Sequence, residues 1–188
     1  MAVDPFAQER IRILAIRQRR EEALRHAGEV AHGAVTIGDA QAVEPKRPVS
    51  ISMPPSLVVV ADEPRIRQVL ANLLGNIREH TAADTPVGVR LSEAGQGALL
   101  EVTDSGQGMD PDAAARAFDR FYRGGHNGKD AHGSGLGLSI VQAIAAAHGG
   151  HAMLRSAVGV GTSVQVWIPF EPPAQVTERI PPQDTTYG

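Results

Sequence analysis

The sequence predicts an α+β fold, because it carries both helical and strand-like apolar patterns. Apolar residues recur at helical spacing from Ile66 to Ile77, and an alanine-rich apolar run spans Leu136–His148. Two pairs of alternating segments flank glycine-rich turns, one around Gly95 and the other around Gly159. Alternation on both sides of such a turn is typical of β-hairpins. The chain therefore combines helices with antiparallel strands.

Composition limits the function classes that are open to this chain. Its 188 residues suffice for one ordinary domain with terminal extensions, and the lack of cysteine excludes disulfides and cysteine-ligated zinc. A net charge of −3 gives no global basic footprint for nucleic acid. No apolar run approaches the ~20 residues of a membrane-spanning helix. We expect a cytoplasmic protein that is monomeric in isolation and binds no nucleic acid.

The chain divides into three parts. Residues 1–44 predict a helical arm or linker, within which Gln8–Val30 places apolar residues on one face and carries six arginines. A solvated helix or mobile arm explains this charge better than a docking helix for a partner does. We expect residues 45–170 to form the folded domain. Residues 171–188 are proline-rich and nearly free of large apolar side chains, so we expect a disordered tail.

Two short segments precede the first clear helix. Val49–Met53 alternates weakly and predicts a strand, and the wholly apolar Leu57–Ala61 predicts a second strand. Asp62 is expected to cap the helix that follows, with Glu63 and Pro64 in its first turn. The apolar face of this helix is expected to comprise Ile66, Val69, Leu70, Leu73, Leu74 and Ile77.

Three polar residues form one stripe beside that apolar face. Asn72, Asn76 and His80 follow one another at four-residue spacing. Asparagine is a poor residue for a helix interior, so two in register suggest a task for their amide oxygens. Amide oxygens are hard neutral ligands that suit Mg²⁺ bound together with nucleotide phosphates. An ordinary polar flank is the alternative for this helix considered alone.

The first predicted hairpin leads into a glycine turn. Its strands are expected over Pro86–Ser92 and Ala98–Thr103, and the second strand delivers Asp104 to the turn Asp104–Gly108. A carboxylate at this strand end could accept a hydrogen bond from an exocyclic amine. An ordinary hairpin or Asx turn is the rival interpretation.

The segment after this turn has the length of a lid. We expect a short helix over Asp110–Phe118, an aromatic box over Phe118–Arg123 and a mobile glycine-rich loop over Arg123–His132. His126 and His132 have no third ligand nearby at a suitable spacing, so they do not predict a metal site.

A second glycine turn, Gly133–Gly137, opens directly into the helix predicted over Leu136–His148. Unpaired N–H groups and the helix dipole at such a helix start make a phosphate site. A last strand pair is expected over Ala152–Ala157 and Ser163–Ile168.

Five blocks, taken in order, resemble the ATP-binding catalytic domain of sensor histidine kinases, within the GHKL or Bergerat-fold ATPases. They are an N box at Asn72–Thr81, a first G box at Asp104–Met109, an F box at Phe118–Arg123, a second G box at Gly133–Val141, and a closing strand from Gly159–Thr162 to Trp167–Pro169. The resemblance covers about Pro48 to Phe170. One block alone would not be specific, whereas five in the right order are.

The resemblance implies a two-layer α/β sandwich, in which about three helices cover one face of a mixed sheet and ATP lies under a lid. It implies that Asp104 accepts from the adenine amine with help from Thr162. It also implies that Asn76 coordinates Mg²⁺ and that Asn72, the second catalytic residue, lies near the phosphates. Phe118 and Phe121 would anchor the lid and contact a partner. The remaining residues implied to bind nucleotide or shape the lid are His80, Gly106, Gly108, Lys129, Gly133, Gly135, Leu136, Gly137 and Leu138.

The resemblance further implies a function in two-component signalling. The chain would bind Mg-ATP and donate the γ-phosphoryl group to a histidine on a separate dimerisation or phosphoacceptor protein, from which it passes to a response regulator. None of the seven histidines is followed by an acidic residue, as a phosphoacceptor histidine would be, so we expect the catalytic half only. Glu79 stands where the family usually has lysine or arginine. A stand-alone serine kinase of the anti-sigma-factor type and a non-catalytic ATP-binding regulator are the alternatives.

Overall fold

The computed structural model of the chain describes most of the predicted folded domain. It covers residues 47–54, 57, 59–122 and 134–171, and the backbone alone of residues 11–14 and 32–35. The loop predicted over Arg123–His132 lies outside the described residues, as do most of the predicted N-terminal arm and the tail beyond residue 171. Within the described part, no helix combines the length and the apolar character needed to cross a membrane.

Two short strands occur in the predicted N-terminal arm. Ile11–Leu14 (β1) and His32–Val35 (β2) pair in antiparallel fashion. The helix predicted over Gln8–Val30 is therefore wrong at β1. The isoleucines of β1 alternate with Arg12, and β-branched residues in alternation suit a strand better than a helix.

A five-stranded mixed sheet forms one layer of the domain. Its strands are Val49–Ser52 (β3), Val87–Ala94 (β4), Gly97–Asp104 (β5), His151–Ala157 (β6) and Gly161–Pro169 (β7). They lie in the order β3-β4-β5-β7-β6, with β3 and β4 parallel and all other neighbours antiparallel. Both hairpins predicted from alternation, β4–β5 and β6–β7, are confirmed.

The strand predicted over Leu57–Ala61 is not formed. Leu57, Val59 and Ala61 are buried at 6–7% exposure, but the described residues of this segment belong to no strand. Among the described residues of the segment, one main-chain hydrogen bond, from the Val60 N–H to Phe170 O at 3.0 Å, joins it to the residue that follows β7. The segment lies between Pro54-Pro55 and the cap of the next helix, and its apolar side chains pack into the core instead of extending the sheet.

The described residues include three helices: Glu63–His80 (α1), Pro111–Ala115 (α2) and Gly137–Ala147 (α3). Asp62 caps α1 as predicted, because its carboxylate accepts a hydrogen bond from the Arg65 backbone N–H at 3.2 Å. The helix predicted over Asp110–Phe118 is shorter than expected. After Ala115 the chain tightens into turns, in which the Arg116 N–H bonds to a carbonyl three residues back.

α1 and α3 pack side by side on one face of the sheet. Val69 and Leu73 of α1 are 1% and 2% exposed, and Val141 and Ala145 of α3 are fully buried. Alternate strand residues complete this core, among them Val87, Val89, Val102, Val164, Val166 and Ile168. The predicted two-layer α+β architecture is confirmed.

Candidate functional site

α1 carries two of the predicted site residues on its partly buried flank. Asn72 and Asn76 lie one turn apart and are partly buried, whereas His80 is exposed at the helix end. The Asn72 Nδ2 atom is buried and makes no hydrogen bond to any described residue. A donor buried without a partner costs about 1–3 kcal/mol. This unsatisfied donor distinguishes Asn72 from an ordinary polar flank of the helix.

The start of α3 lies against Asn76. A Cβ atom built at Gly137, the first residue of α3, would stand 2.9 Å from Asn76 Oδ1, so glycine permits the close approach. Leu136 caps α3 without a side-chain hydrogen bond, and its carbonyl accepts from the Ile140 N–H. The N–H groups of residues 137–139 therefore have no partner within the helix, and they emerge at its positive end. Such a helix start attracts anions.

The aromatic box packs against the second glycine turn. Gly135 has a φ of +66°, and Phe121 has a φ of +63°. The Phe121 N–H donates to Gly135 O at 3.0 Å, and a Cβ at Gly135 would stand 2.9 Å from the Phe121 carbonyl carbon. A left-handed φ at a bulky residue costs of the order of 1–3 kcal/mol. This strained residue is 71% exposed. Gly133 and Lys129, the other predicted residues here, lie outside the described residues.

Asp104 ends β5 and opens the first glycine turn. Its Oδ1 accepts a hydrogen bond from the Gly106 N–H at 2.8 Å, so the Asx turn considered as a rival is present. Its Oδ2 has no hydrogen bond to the residues that the structure describes. A Cβ at Gly106 would stand 2.6 Å from Thr81 Cγ2, at the end of α1. The turn thus engages one carboxylate oxygen and contacts α1, while the other oxygen stays available to a ligand.

The β6–β7 hairpin packs directly on the first glycine turn. Asp104 is paired with Thr162 across β5 and β7, and a Cβ at Gly161, whose φ is +117°, would clash with the Asp104 carbonyl oxygen. Gly108, whose φ is +66°, lies equally close to the Ala157 carbonyl oxygen of β6. Asp104 and Thr162, the predicted base-binding pair, are therefore neighbours.

Comparison with known protein families agrees with this geometry. The sequence profile of the histidine kinase-, DNA gyrase B- and HSP90-like ATPases matches residues 61–172. The chain belongs to this family. The resemblance drawn from the N, F and G boxes is confirmed, and the matched region is a histidine-kinase ATP-binding catalytic domain.

Individual relatives of this ATPase domain are histidine kinases. The probable sensor histidine kinase TcrY of Mycobacterium tuberculosis is 36% identical over 137 residues, which are 72% of this chain and 29% of TcrY. The circadian input-output histidine kinase CikA of Synechococcus elongatus is 34% identical over 125 residues, which are 66% of this chain and 17% of CikA. The chain thus spans less than a third of either relative.

Solved structures show the same fold. The mycobacterial sensor histidine kinase MprB has a TM-score of 0.62 at 28% identity, with 72% of this chain and 91% of that chain covered. Full-length ShkA in complex with AMPPNP has a TM-score of 0.59 at 30% identity, with 71% of this chain and 28% of that chain covered.

In this histidine-kinase-like ATPase, most predicted site residues gather at one end of the helix pair. The pairs that touch or lie opposite each other are Asn76 with Gly137, Thr81 with Gly106, and Asp104 with Thr162. His80 is exposed, and its side chain forms no hydrogen bond within the part of the chain that the structure describes. Leu136 is partly buried, and Leu138 packs against the hydrophobic core.

Arg47 supports this end of α1, although no sequence pattern pointed to it. Its guanidinium is in a residue only 8% exposed, and Nη1 donates to Thr81 Oγ1 at 2.9 Å and to Thr85 O at 3.2 Å. The Thr81 hydroxyl in turn donates to Ile77 O at 2.7 Å. Arg47 thereby fixes the threonine that contacts Gly106.

His148 joins the opposite ends of α1 and α3. Its Nε2 accepts a hydrogen bond from the Asp62 N–H at 3.0 Å, and its Nδ1 lies 2.8 Å from Ile144 O. A neutral imidazole with its proton on Nδ1 satisfies both contacts. The helix pair is therefore antiparallel: His148 links the two helices at one end, and Asn76 lies close to Gly137 at the other.

The site offers a restricted set of groups to a metal and a triphosphate. Among the described residues, no group of three or more histidine, aspartate or glutamate side chains could hold a metal ion. Asn76 Oδ1 is an amide oxygen, a kind of ligand that suits Mg²⁺ when phosphate oxygens and water complete the set. Glu79 is exposed three residues after Asn76 and forms no ion pair within the described part of the chain.

Proposed function

We propose that this domain binds Mg-ATP between α1 and α3 and donates the γ-phosphoryl group to a histidine on a separate dimerisation or phosphoacceptor protein. The observation that carries the proposal is the contact between Asn76 and Gly137. It brings an amide oxygen suited to Mg²⁺ beside unpaired N–H groups suited to phosphate. A metal-bound triphosphate needs both kinds of group at one place.

The chain's own residues divide the binding of ATP between them. Asp104 Oδ2 accepts a hydrogen bond from the adenine amine, and Thr162 assists from the neighbouring strand. The buried Nδ2 of Asn72 donates to a phosphate oxygen, which would satisfy a donor that has no partner among the described residues. Bound Mg²⁺ would neutralise charge on the transferring phosphoryl group.

The acceptor histidine belongs to another protein in this proposal. His148 is held between the two helices, and His151 stacks on Trp167 with ring centroids 5.4 Å apart. His80 lies on the helix that forms the pocket wall, which favours contact with the nucleotide over attack on its terminal phosphate. In-line transfer requires the acceptor nitrogen to face the γ-phosphate. From that acceptor the phosphoryl group would pass to an aspartate of a response regulator.

A groove beside the site fits a docking surface for the acceptor. It is open to solvent, has a volume of about 610 Å³ and lies among the aromatic box, the outward side of α3 and the start of β6; its lining includes Phe118, Arg120, Gln142 and Ala143. The exposed ring of Phe121 lies on the same segment. An acceptor helix would bury these groups on docking.

We also propose that the domain is monomeric in isolation and works in the cytoplasm, where ATP is available.

A non-catalytic ATP-binding regulator is the second candidate, and Glu79 is the observation that favours it. An exposed carboxylate three residues from Asn76 repels a triphosphate unless a cation screens it. Binding could persist through the other contacts while transfer is lost.

Labelled ATP separates these candidates. The protein is incubated with labelled ATP and Mg²⁺, alone and with a supplied acceptor domain, and an Asn76→Ala variant serves as the inactive control. We expect label on the acceptor only, and we expect acid to remove it, because phosphohistidine is acid-labile. Acid-stable label on the acceptor would indicate a serine kinase of the same fold. Transfer to no acceptor would favour the regulator, and acceptor-independent labelling of this chain would contradict the proposal.

A further inference from the structure

Ser156 links the first glycine turn to β7 near Asp104 and Thr162, the residues proposed to contact the adenine base. It is not itself one of the proposed nucleotide contacts. It lies on β6 and is partly buried. Its Oγ accepts a hydrogen bond from the Met109 N–H at 2.8 Å, at the end of the first glycine turn. The same oxygen lies 3.0 Å from Gly161 O and 2.9 Å from Thr162 Oγ1. Ser156 therefore contacts both the turn that begins at Asp104 and the strand that carries Thr162.

The three contacts of Ser156 determine where the hydroxyl protons go. A serine hydroxyl has one proton and two lone pairs, and the Met109 N–H, which can only donate, occupies one lone pair. Gly161 O can only accept, so the Ser156 proton goes there. The contact with Thr162 is then a hydrogen bond only if the Thr162 proton points at Ser156 Oγ. With this arrangement Thr162 presents only lone pairs to the base site.

We propose that Ser156 is a positioning residue for base selection and acts through Thr162. It keeps Thr162 an acceptor beside the acceptor Oδ2 of Asp104. The inference rests on the proposed function, because it takes Asp104 and Thr162 as the pair that contacts the base.

The acceptor oxygens of Asp104 and Thr162 together favour a base edge that donates hydrogen bonds. The 6-amine of adenine has two protons to offer, whereas a 6-carbonyl would place a third acceptor against the two oxygens. Without the Ser156 hydroxyl, Thr162 is free to rotate and donate its proton. A 6-carbonyl then gains a partner, so loss of Ser156 should relax the choice of base.

The test compares the affinities of ATP and ITP, in which a 6-carbonyl replaces the 6-amine and N1 carries a proton. Ser156→Ala should lower the preference for ATP over ITP about three- to tenfold, the equivalent of one neutral hydrogen bond. Ser156→Thr keeps the hydroxyl and should retain the preference. In a Thr162→Val background, Ser156→Ala should no longer change the ratio of the two affinities. Equal losses of ATP and ITP affinity in Ser156→Ala would show that Ser156 only supports the first glycine turn, and this result would overturn the inference.

Further controls separate this inference from the proposed function. A wild-type protein that does not prefer ATP over ITP, or an Asp104→Asn variant with unchanged preference, would contradict the proposed base site itself. If both behave as expected and Ser156→Ala does not alter the ratio, only the role of Ser156 is wrong. If the alanine variant does not fold, Ser156→Cys replaces it, because the cysteine side chain is nearly as small and its thiol forms only weak hydrogen bonds. The same fall in ratio is expected, and an unchanged ratio overturns the inference.

Discussion

Replacing Gly137 with alanine should impair ATP binding without unfolding the domain. The new Cβ would stand 2.9 Å from Asn76 Oδ1 and 3.5 Å from Asn76 Nδ2. Real Cβ atoms essentially never show contacts under 3.0 Å, so the Asn76 amide must move away from the start of α3. The backbone of α3 keeps its conformation, because the N-terminal residue of a helix accommodates alanine.

The size of the effect follows from the contact that is lost. A hydrogen bond or ligand contact to a charged group is worth about 1.5–3 kcal/mol, which corresponds to roughly ten- to hundredfold in Kd. Alanine favours a helix over glycine by about 1 kcal/mol. Affinity for Mg-ATP should therefore fall while the thermal midpoint stays unchanged or rises.

Calorimetric titration with Mg-ATP, alongside thermal unfolding, measures both quantities. Gly75→Ala is the matched control, because Gly75 lies within α1 next to Asn76 and a Cβ there meets nothing within 4 Å. This control should bind ATP like the wild type and unfold at a higher temperature. Wild-type affinity in Gly137→Ala would refute the role assigned to the Asn76–Gly137 contact.

Three further substitutions probe other parts of the account. Asp104→Asn should weaken ATP binding roughly ten- to hundredfold through loss of a charge-assisted hydrogen bond, and equal affinities of the wild type for ATP and GTP would contradict this role. Glu79→Lys should strengthen ATP binding, with a gain that shrinks as salt rises, because screening weakens partly exposed pairs. Titrations at two salt concentrations measure it, and a harmful effect would mean that Glu79 supports the fold. His148→Ala removes the acceptor of the Asp62 N–H and one of the two donors to Ile144 O, whose other donor is the His148 backbone N–H, so urea unfolding should show a loss of about 1–3 kcal/mol for the two hydrogen bonds. His148→Gln, which keeps an acceptor, should lose less, and equal losses would argue against the helix-joining role.

Local patterns in the sequence predicted most of the regular structure. The apolar period and the Asp62 cap predicted α1, and both hairpins followed from alternation around glycine. Leu57–Ala61 shows where local pattern fails. An apolar run predicts burial in a strand or in an irregular segment equally well, and only the available neighbours decide between them.

The residues that support the site, Arg47, His148 and Ser156, could not be predicted from local sequence patterns. Arg47 and Thr81 are 34 positions apart in sequence, and the Asp62–His148 contact joins residues 86 positions apart. Ser156 has no motif of its own and gains its role from Met109 and Thr162, which lie on different elements. Contacts of this kind exist only after the chain has folded, so no spacing reveals them.

Nuclear magnetic resonance of the side-chain amides during titration with Mg-ATP tests the central claim most directly. The account predicts that the Asn72 and Asn76 amide signals shift together with the backbone signals of Gly106 and Gly137, along one saturation curve. The indole N–H of Trp167, which donates to Ala94 O at 2.9 Å on the hairpin between β4 and β5, should not move. Shifts confined to Trp167, or separate saturation curves for the two glycine turns, would contradict a single ATP site between α1 and α3.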